Sequence, residues 1–330
     1  MKIYTLKINL IKKKIIVTGC AGFIGSNLVD KLLSLNARVI GIDNLSTGKK
    51  EFLDTAFKHK NFQFIKCDLL SLKKIKKIFK GSEMIFHMAA NADVRYGYQK
   101  PHKDLEQNTI VTFNVLESMR INGIKDIAFC STGSVYGEPK NFPTPENESF
   151  PIQTSFYGAS KLAGESLIQA YCEAFKFKSW IFRFVSILGN RYTHGHVYDF
   201  YKQLINNPKS LKVLGDGNQK KSYLHIDDCI EGMLLAIKKS KAKINIFNLG
   251  TDEYFSVKQS IKVISSLLKA KPKIVFKGGK RGWIGDSPFI YLNTKKIKSL
   301  GWKPKLSITE SIKMTVNYLK KNKWLFKKNK

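Results

Sequence analysis

A tyrosine and a lysine four residues apart could form a proton-transfer pair. Lys161 follows Tyr157 by four positions, and this spacing places both side chains on one face of a helix. A phenol has an ordinary pKa of about 10, and a nearby ammonium favours the phenolate, which is the more useful base. An exposed pair without a catalytic role is the alternative, because this spacing is common by chance.

A hydroxyl group is available from a second segment. The segment Ser131–Gly137 begins where the apolar run 126–131 ends, so that Thr132 lies at the carboxyl end of a predicted strand. We expect the Thr132 hydroxyl to bridge Tyr157 and an oxygen of the substrate. The two segments together predict a proton-transfer site.

Three glycines near the amino terminus predict a phosphate site. Gly19, Gly22 and Gly25 follow the apolar run Ile15–Val17 and precede an apolar helix pattern. The first glycine permits a tight turn, the second lets a pyrophosphate approach the backbone, and the third lets the helix pack closely on the strand. The N–H groups at the start of the helix attract the anion. This pattern is typical of dinucleotide sites.

Two carboxylates follow predicted strands beyond the glycines. Asp43 ends the run Val39–Asp43, about 20 residues on, where a carboxylate accepts both adenine ribose hydroxyls and repels a 2′-phosphate. This position predicts NAD as the cofactor in preference to NADP. The alternative is an aspartate that starts a turn together with Asn44. Asp68, after the third strand, is expected to reach the adenine amine.

The chain alternates strand and helix patterns up to about residue 185. Strands are predicted at 14–18, 38–43, 62–67, 84–90, 126–131 and 180–184, and helices near 23–35, 70–80, 105–121 and 155–175. This alternation predicts an α/β fold with a doubly wound parallel Rossmann sheet. Denser turn signals after 186 predict a smaller C-terminal α/β lobe that binds substrate. We expect a cofactor domain at 1–185 and a substrate lobe at 186–330, with parts near 225–250 returning to the first domain and the active site between them.

Composition excludes several classes of protein. The chain has 330 residues, 43% of them hydrophobic, and no apolar stretch long enough to span a bilayer. Residues 1–10 lack the pattern of a secretory signal and read as a short extension. The five cysteines are scattered, and no spacing suggests a metal site. We therefore expect no metal, no membrane partner and a cytoplasmic location.

The net charge of +32 does not predict nucleic-acid binding. Of the 57 basic residues only six are arginines, although arginine is the residue that grips phosphates and guanine edges with a planar fork. The lysines are spread along the whole chain, with short clusters at 73–77 and in the tail 320–330. We expect the charge to attract an anionic small substrate.

With these motifs the chain resembles the extended short-chain dehydrogenase/reductase family, and within it the nucleotide-sugar epimerases similar to UDP-glucose 4-epimerase. The motifs that carry the resemblance are Thr18–Gly25, Asp43–Ser46, Cys67–Leu69, His87–Ala90, Asn108, Ser131–Gly137, Tyr157–Lys161, Gly215–Gly217, Tyr223–Asp228 and Gly301–Pro304. The resemblance implies that NAD takes a hydride from a sugar carbon while Tyr157 removes the hydroxyl proton. The resulting keto-sugar then rotates in the site and receives the hydride on its other face.

The resemblance also assigns roles to residues of this chain. The implied catalytic residues are Thr132, Tyr157 and Lys161. The implied NAD-binding residues are Gly19, Gly22, Phe23, Ile24, Gly25, Asp43, Asn44, Ser46, Asp68, Leu69, Met88, Ala89, Ala90, Asn108, Tyr157, Lys161 and Phe184. The implied substrate-binding residues are Thr132, Ser134, Ser186, His196, Val213, Lys221, Tyr223, Arg281 and Asp286.

Several local features discriminate among members of the family. Sugar 4,6-dehydratases carry an acid just after the threonine, where this chain has Gly133 and Ser134. The cysteine and histidine pair of the reductive 3,5-epimerases is also missing, since Cys130 precedes Thr132. Lys221 replaces a usual arginine and Ser186 a usual asparagine, and both changes bear on substrate choice.

These features favour 4-epimerisation of a UDP-hexose. The resemblance also implies a homodimer that packs the helices near 105–121 and 155–175. A nucleotide-sugar dehydratase or decarboxylase is the first alternative. A non-catalytic Rossmann protein that binds NAD or RNA is the second.

Overall fold

The computed structural model describes residues 13–149 and 152–326. The predicted extension at 1–10 and the end of the lysine-rich tail lie outside these residues. In chain order the strands are β1 (Lys14–Thr18), β2 (Arg38–Asp43), β3 (Phe62–Lys66), β4 (Met84–His87), β5 (Asp126–Cys130), β6 (Lys178–Phe184), β7 (Ser186–Leu188), β8 (Ser210–Val213), β9 (Lys220–Lys221), β10 (Tyr223–His225), β11 (Ile244–Leu249), β12 (Phe255–Ser256), β13 (Lys273–Phe276) and β14 (Phe289–Ile290).

Twelve α-helices lie among the described residues. They are α1 (Phe23–Ser34), α2 (Asp54–Phe57), α3 (Leu72–Phe79), α4 (Val94–Gln99), α5 (Pro101–Asp104), α6 (Val111–Ile121), α7 (Phe156–Phe175), α8 (His196–Asn206), α9 (Ile226–Lys239), α10 (Val257–Leu267), α11 (Lys295–Ser299) and α12 (Ile308–Lys321). Turns of 3₁₀-helix occupy Lys50–Leu53, Gly133–Tyr136 and Lys323–Phe326, and a π-helical turn occupies Leu105–Ile110. None of the described helices has both the length and the apolar character that crossing a membrane requires.

A seven-stranded sheet forms the centre of the molecule. Its order is β11-β6-β5-β4-β1-β2-β3, and every neighbouring pair is parallel. The chain winds outward in both directions from β1, so that a crevice opens where the strand order reverses at the carboxyl ends. The predicted doubly wound α/β fold is confirmed.

Side chains of each central strand alternate between two apolar layers. In β1, Ile15 and Val17 face the cluster that includes α1 and α9, whereas Ile16 faces the cluster that includes α3, α6 and α7. All three side chains are fully buried. Because both faces are covered, the strands read as continuous apolar runs, and this explains why they were predictable from sequence.

The C-terminal part of the chain forms three small sheets and a third apolar cluster. The sheets are β10-β7, β12-β9-β14 and β13-β8, and the cluster packs α8, α10 and α12 together. Between these elements α9 joins the apolar cluster of the first part, and β11 pairs with β6 along six residues. The chain therefore crosses between the two parts repeatedly.

The predicted helix at 105–121 is not uniform. Its first turn, Leu105–Ile110, is π-helical, and the regular helix α6 begins only at Val111. Such a wider turn often marks a functional site. It carries Asn108, which is buried.

Candidate active site

A cavity of about 1090 Å³ opens at the carboxyl ends of the central strands and extends beneath the C-terminal part. Its wall contains the glycine turn after β1, the turn after β5, the start of α7, and residues of the second part around Lys221. This is the place where open α/β sheets bind ligands.

The glycine turn leaves room for a phosphate group. Gly19 has φ +66, and a Cβ there would lie 2.7 Å from backbone atoms of Ala89. A Cβ at Gly25 would collide with the Gly19 carbonyl, so the turn and α1 approach more closely than any side chain permits. The first helical bond runs from the Ser26 N–H to the Gly22 carbonyl, which leaves the preceding N–H groups of α1 available to an anion. The turn fits a dinucleotide pyrophosphate.

Asp43 is held at the far end of the same wall. Its carboxylate accepts the Ala21 N–H at 3.0 Å and the Leu45 N–H at 2.8 Å. Burial raises the pKa of Asp43, and these two bonds act in the opposite direction. The side chain is 9% exposed, which leaves an oriented carboxylate that lines the cavity with capacity to accept ribose hydroxyls.

Tyr157 and Thr132 meet in the central part of the cavity. Tyr157 belongs to the first turn of α7, which Ser155 caps by accepting the Gly158 N–H. Thr132 caps the 3₁₀ turn after β5, and its hydroxyl interacts with the phenol of Tyr157. Burial is the largest influence on Tyr157 and raises its pKa above the ordinary value, whereas the Thr132 hydroxyl lowers it.

Lys161 is a buried cation in the wall of the same cavity. Its side chain is 1% exposed, and its Nζ lies 4.0 Å from the centre of the Phe129 ring. Burial lowers the pKa of Lys161 to about 8, and Cys130 and Glu165 oppose that change. For Tyr157 the largest influence on the pKa is burial of the phenol itself. Desolvation therefore favours the neutral form of the phenol, and the effect of the Lys161 ammonium on it stays a prediction.

A buried ion pair supports the end of β5 and the middle of α7. Arg183 donates to Glu165 at 2.7 Å, and both side chains are buried. Ser131 also donates to Glu165, and Arg183 reaches the Tyr136 hydroxyl at 2.8 Å. The residues on either side of Thr132 are therefore fixed to the helix that carries Tyr157 and Lys161.

The second part of the chain supplies a charged wall. Lys221 Nζ lies 2.6 Å from Asp286 Oδ1 and 4.8 Å from the centre of the Trp283 ring. The ring of His196 lies 4.9 Å from that of Tyr223. Burial, followed by the charge of Lys221, lowers the pKa of His196 to about 3, so the imidazole is neutral.

Most of the residues predicted for the site line this cavity. Those that do are Gly19, Gly22, Phe23, Ile24, Gly25, Asp43, Asn44, Ser46, Leu69, Met88, Ala89, Ala90, Thr132, Ser134, Tyr157, Lys161, Phe184, Ser186, His196, Val213, Lys221, Tyr223 and Asp286.

Three predicted residues do not line the cavity as it is described. Asp68 accepts the Asn44 amide at 3.1 Å, and Asn108 donates to Ser160 at 2.9 Å from behind the wall. Arg281 donates to the Asp286 carbonyl at 2.8 Å and to Glu138. A direct contact of these three with a ligand remains a prediction.

Sequence reasoning missed three other segments of the wall, which meet around Arg95. Arg95 lies 3.4 Å from Asp199 and 3.5 Å from Asp93, and the ring of Trp283 faces it at 6.0 Å. These residues come from α4, α8 and the loop before β14, far apart in sequence. The single available signal was an arginine in a lysine-rich chain.

Comparison with known proteins identifies the family. The model of the NAD dependent epimerase/dehydratase family matches residues 15–250. UDP-glucose 4-epimerase of Mycolicibacterium smegmatis is 31% identical over 312 residues, which cover 92% of this chain and 98% of the relative. The crystal structure of UDP-glucose 4-epimerase from Thermotoga maritima with UDP-glucose matches with a TM-score of 0.86 and 33% identity, covering 94% of this chain and 99% of the other.

A further solved structure bears on the cofactor. UDP-glucuronic acid 4-epimerase from Bacillus cereus, in complex with UDP-glucuronic acid and NAD, has a TM-score of 0.86 and 29% identity, and the match covers 93% of this chain and 99% of the other. The glycine turn and Asp43 fit the same cofactor. The chain belongs to the NAD dependent epimerase/dehydratase family and is an enzyme that uses NAD.

Proposed function

We propose that this enzyme inverts C4 of a UDP-hexose through a transient 4-keto sugar. NAD, held by the glycine turn and Asp43, would supply reversible hydride transfer at C4. The protein must then hold the sugar beside Tyr157, move one proton and keep bulk water out. The arrangement of Tyr157, Thr132 and Lys161 in one cavity supports this assignment.

Tyr157 is the proposed acid and base at the C4 oxygen. Its side chain and the Thr132 hydroxyl interact with each other, so a sugar hydroxyl placed beside both could pass its proton to Tyr157 when Tyr157 is ionised to the phenolate. A group in this role must lie within hydrogen-bond reach of the proton that it takes. Lys161 is the proposed ligand of the nicotinamide ribose, and its ammonium in the same cavity wall would favour the phenolate.

The turn after Thr132 favours epimerisation over dehydration. Gly133 and Ser134 form the 3₁₀ turn there, together with Val135 and Tyr136, and neither of the first two can protonate a leaving C6 hydroxyl. Simple epimerisation needs no such acid, because the same tyrosine returns the proton that it took.

The charged wall around Lys221 is the proposed site of the nucleotide diphosphate. Lys221 offers an ammonium to phosphate oxygens, and Asp286, 3% exposed, holds it in place. The Gly282 N–H donates to the other oxygen of Asp286 at 3.0 Å, so the loop that carries Trp283 is fixed to the same pair. The choice of uridine rests on the names of the relatives that share the family.

The assignment is tested by incubating the purified enzyme with UDP-glucose, UDP-N-acetylglucosamine and UDP-glucuronic acid. We expect conversion of at least one of them to its C4 epimer with no change in mass, and no conversion by the Tyr157→Phe variant. Loss of water would identify a dehydratase and loss of carbon dioxide a decarboxylase. Salt-dependent RNA binding without any turnover would favour the non-catalytic alternative.

We further propose that the enzyme is a cytosolic homodimer. Phe113 on α6 is 42% exposed, and Leu105 in the π-helical turn is 54% exposed. Phe156 and Phe175, at the two ends of α7, are 50% and 39% exposed. Apolar side chains that are exposed on neighbouring helices are typical of an interface, and pairing of these helices between two copies would cover them. All five cysteines are free thiols, which fits a reducing compartment.

A further inference from the structure

A buried histidine connects the glycine turn to the helices around the active site. His87 is the last residue of β4 and is 0% exposed. Its Nδ1 lies 2.8 Å from the Thr18 hydroxyl, and its Nε2 lies 3.1 Å from the Thr112 hydroxyl. Burial, followed by the charge of Lys161, lowers the pKa of His87 to about 3. The ring is therefore neutral and has one N–H and one lone pair.

The neighbours of His87 fix which nitrogen carries the proton. Thr112 donates its own hydroxyl proton to the Asn108 carbonyl at 2.5 Å, so towards His87 it can only accept. Nε2 must then be the N–H, and Nδ1 must accept from the Thr18 hydroxyl. The remaining lone pair of Thr18 accepts the Ala89 N–H at 3.3 Å.

The result is a single chain of hydrogen bonds in one direction. It runs from the Ala89 N–H through Thr18, His87 and Thr112 to the Asn108 carbonyl. Bonds in such a chain polarise and strengthen one another. None of its members can be removed without leaving another buried polar group unpartnered.

The two ends of this chain of hydrogen bonds lie at functional parts of the molecule. Ala89 lines the cavity beside Gly19. Its backbone lies so close to Gly19 that a side chain at that position would collide with it. Asn108 belongs to the π-helical turn, and its side chain accepts the Asn91 N–H at 2.8 Å and donates to Ser160 at 2.9 Å. The Ser160 hydroxyl in turn donates to the carbonyl of Tyr157 at 2.9 Å.

We propose that His87 is a positioning residue that couples cofactor binding at the glycine turn to the placement of the Tyr157 helix. The proposal rests on the proposed function, in which Tyr157 acts at the sugar while the turn holds NAD. The neutral ring sets the spacing between β1 and the π-helical turn in one tautomer. A change at either end of this chain of hydrogen bonds alters both the affinity for NAD and the turnover number.

Thr112→Val tests this coupling, because valine keeps the shape of threonine but cannot accept from Nε2 or donate to Asn108. We expect the dissociation constant of NAD, measured by titrating NAD-free protein, to rise by at least about 5-fold, the lower end of coupling between sites. The turnover number should fall, whereas KM for the nucleotide sugar stays unchanged. Thr112→Ser retains the hydroxyl and should restore wild-type values.

Thr315→Val in α12 is the matched control. Thr315 is also buried and also donates to the carbonyl four residues earlier, at 2.7 Å, yet it lies outside the hydrogen-bond chain. We expect a similar loss of thermal stability with unchanged NAD affinity and turnover. The proposal is overturned if Thr112→Val stays within about 2-fold of the wild type in both, or if Thr315→Val changes them equally. NAD affinity is measured without turnover, so the comparison of NAD dissociation constants decides the proposal even if none of the sugars is epimerised.

Discussion

Replacing Lys161 should make the protein more stable. The pKa of Lys161 falls from 10.5 in the unfolded chain to about 8 in the folded one, so the folded state binds this proton less tightly. Stability is therefore lost as the pH drops from about 10.5 to about 8, and stays reduced below that range. At about 1.4 kcal/mol for each pKa unit, the charged side chain lowers the free energy of unfolding by about 3 kcal/mol at pH 7.

The Lys161→Met variant removes this penalty while keeping an unbranched side chain. The ammonium also gains up to about 2 kcal/mol from the Phe129 ring, so the expected net stabilisation at pH 7 is about 1–3 kcal/mol. At pH 10 most of the free-energy cost of burying the charged lysine has disappeared, and the stabilisation by Lys161→Met should shrink to about 1 kcal/mol or less. Turnover should be lost at both pH values.

Urea unfolding of the NAD-free proteins at the two pH values measures this effect. Lys77→Met on α3, an exposed lysine, is the control and should stay within about 0.5 kcal/mol of the wild type. A Lys161→Met variant that unfolds at the same urea concentration as the wild type, or at a lower one, would refute the reasoning. So would a gain that is independent of pH.

Three further predictions concern the cofactor, the acid–base group and the assembly. Tyr157→Phe should lower turnover by at least about 100-fold while NAD remains bound; near-normal turnover by coupled assay would exclude the role. Asp43→Asn should reduce the preference for NAD over NADP by about 10-fold or more, or about 1.4 kcal/mol, as measured from the two dissociation constants; an unchanged ratio would contradict the assigned contact. Phe113→Asp should convert a dimer to a monomer by light scattering, because a charge would enter an apolar interface, and a wild-type mass would argue for another surface.

The central strands could be predicted because their environment is simple. A parallel strand covered on both faces needs apolar side chains at every position, and the runs that end at Thr18 and Asp43 have the bounds found in the structure. The glycine turn was also readable, since a positive φ at Gly19 and the contact with Ala89 select glycine. The candidate site follows from these elements because they end at one edge of the sheet.

Other features depend on contacts that a linear sequence does not show. The wider turn at Leu105–Ile110 has no periodicity of its own. The pKa of Tyr157 depends on how completely its neighbours exclude water, and Arg281 pairs with Glu138, 143 residues away. Arg95 and Asp199, 104 residues apart, meet only in three dimensions.

The last strand of the central sheet has a consequence for dividing the protein into fragments. A piece that stops at residue 185 would contain the glycine turn and Tyr157 but would lack β11 and α9. The edge of β6 would lose its neighbour along six residues, and Cys229, Ile230 and Met233 would no longer cover the face that they share with α1. Open edges of this kind recruit other chains. Truncation there should produce aggregates, so separately expressed halves cannot replace the intact polypeptide.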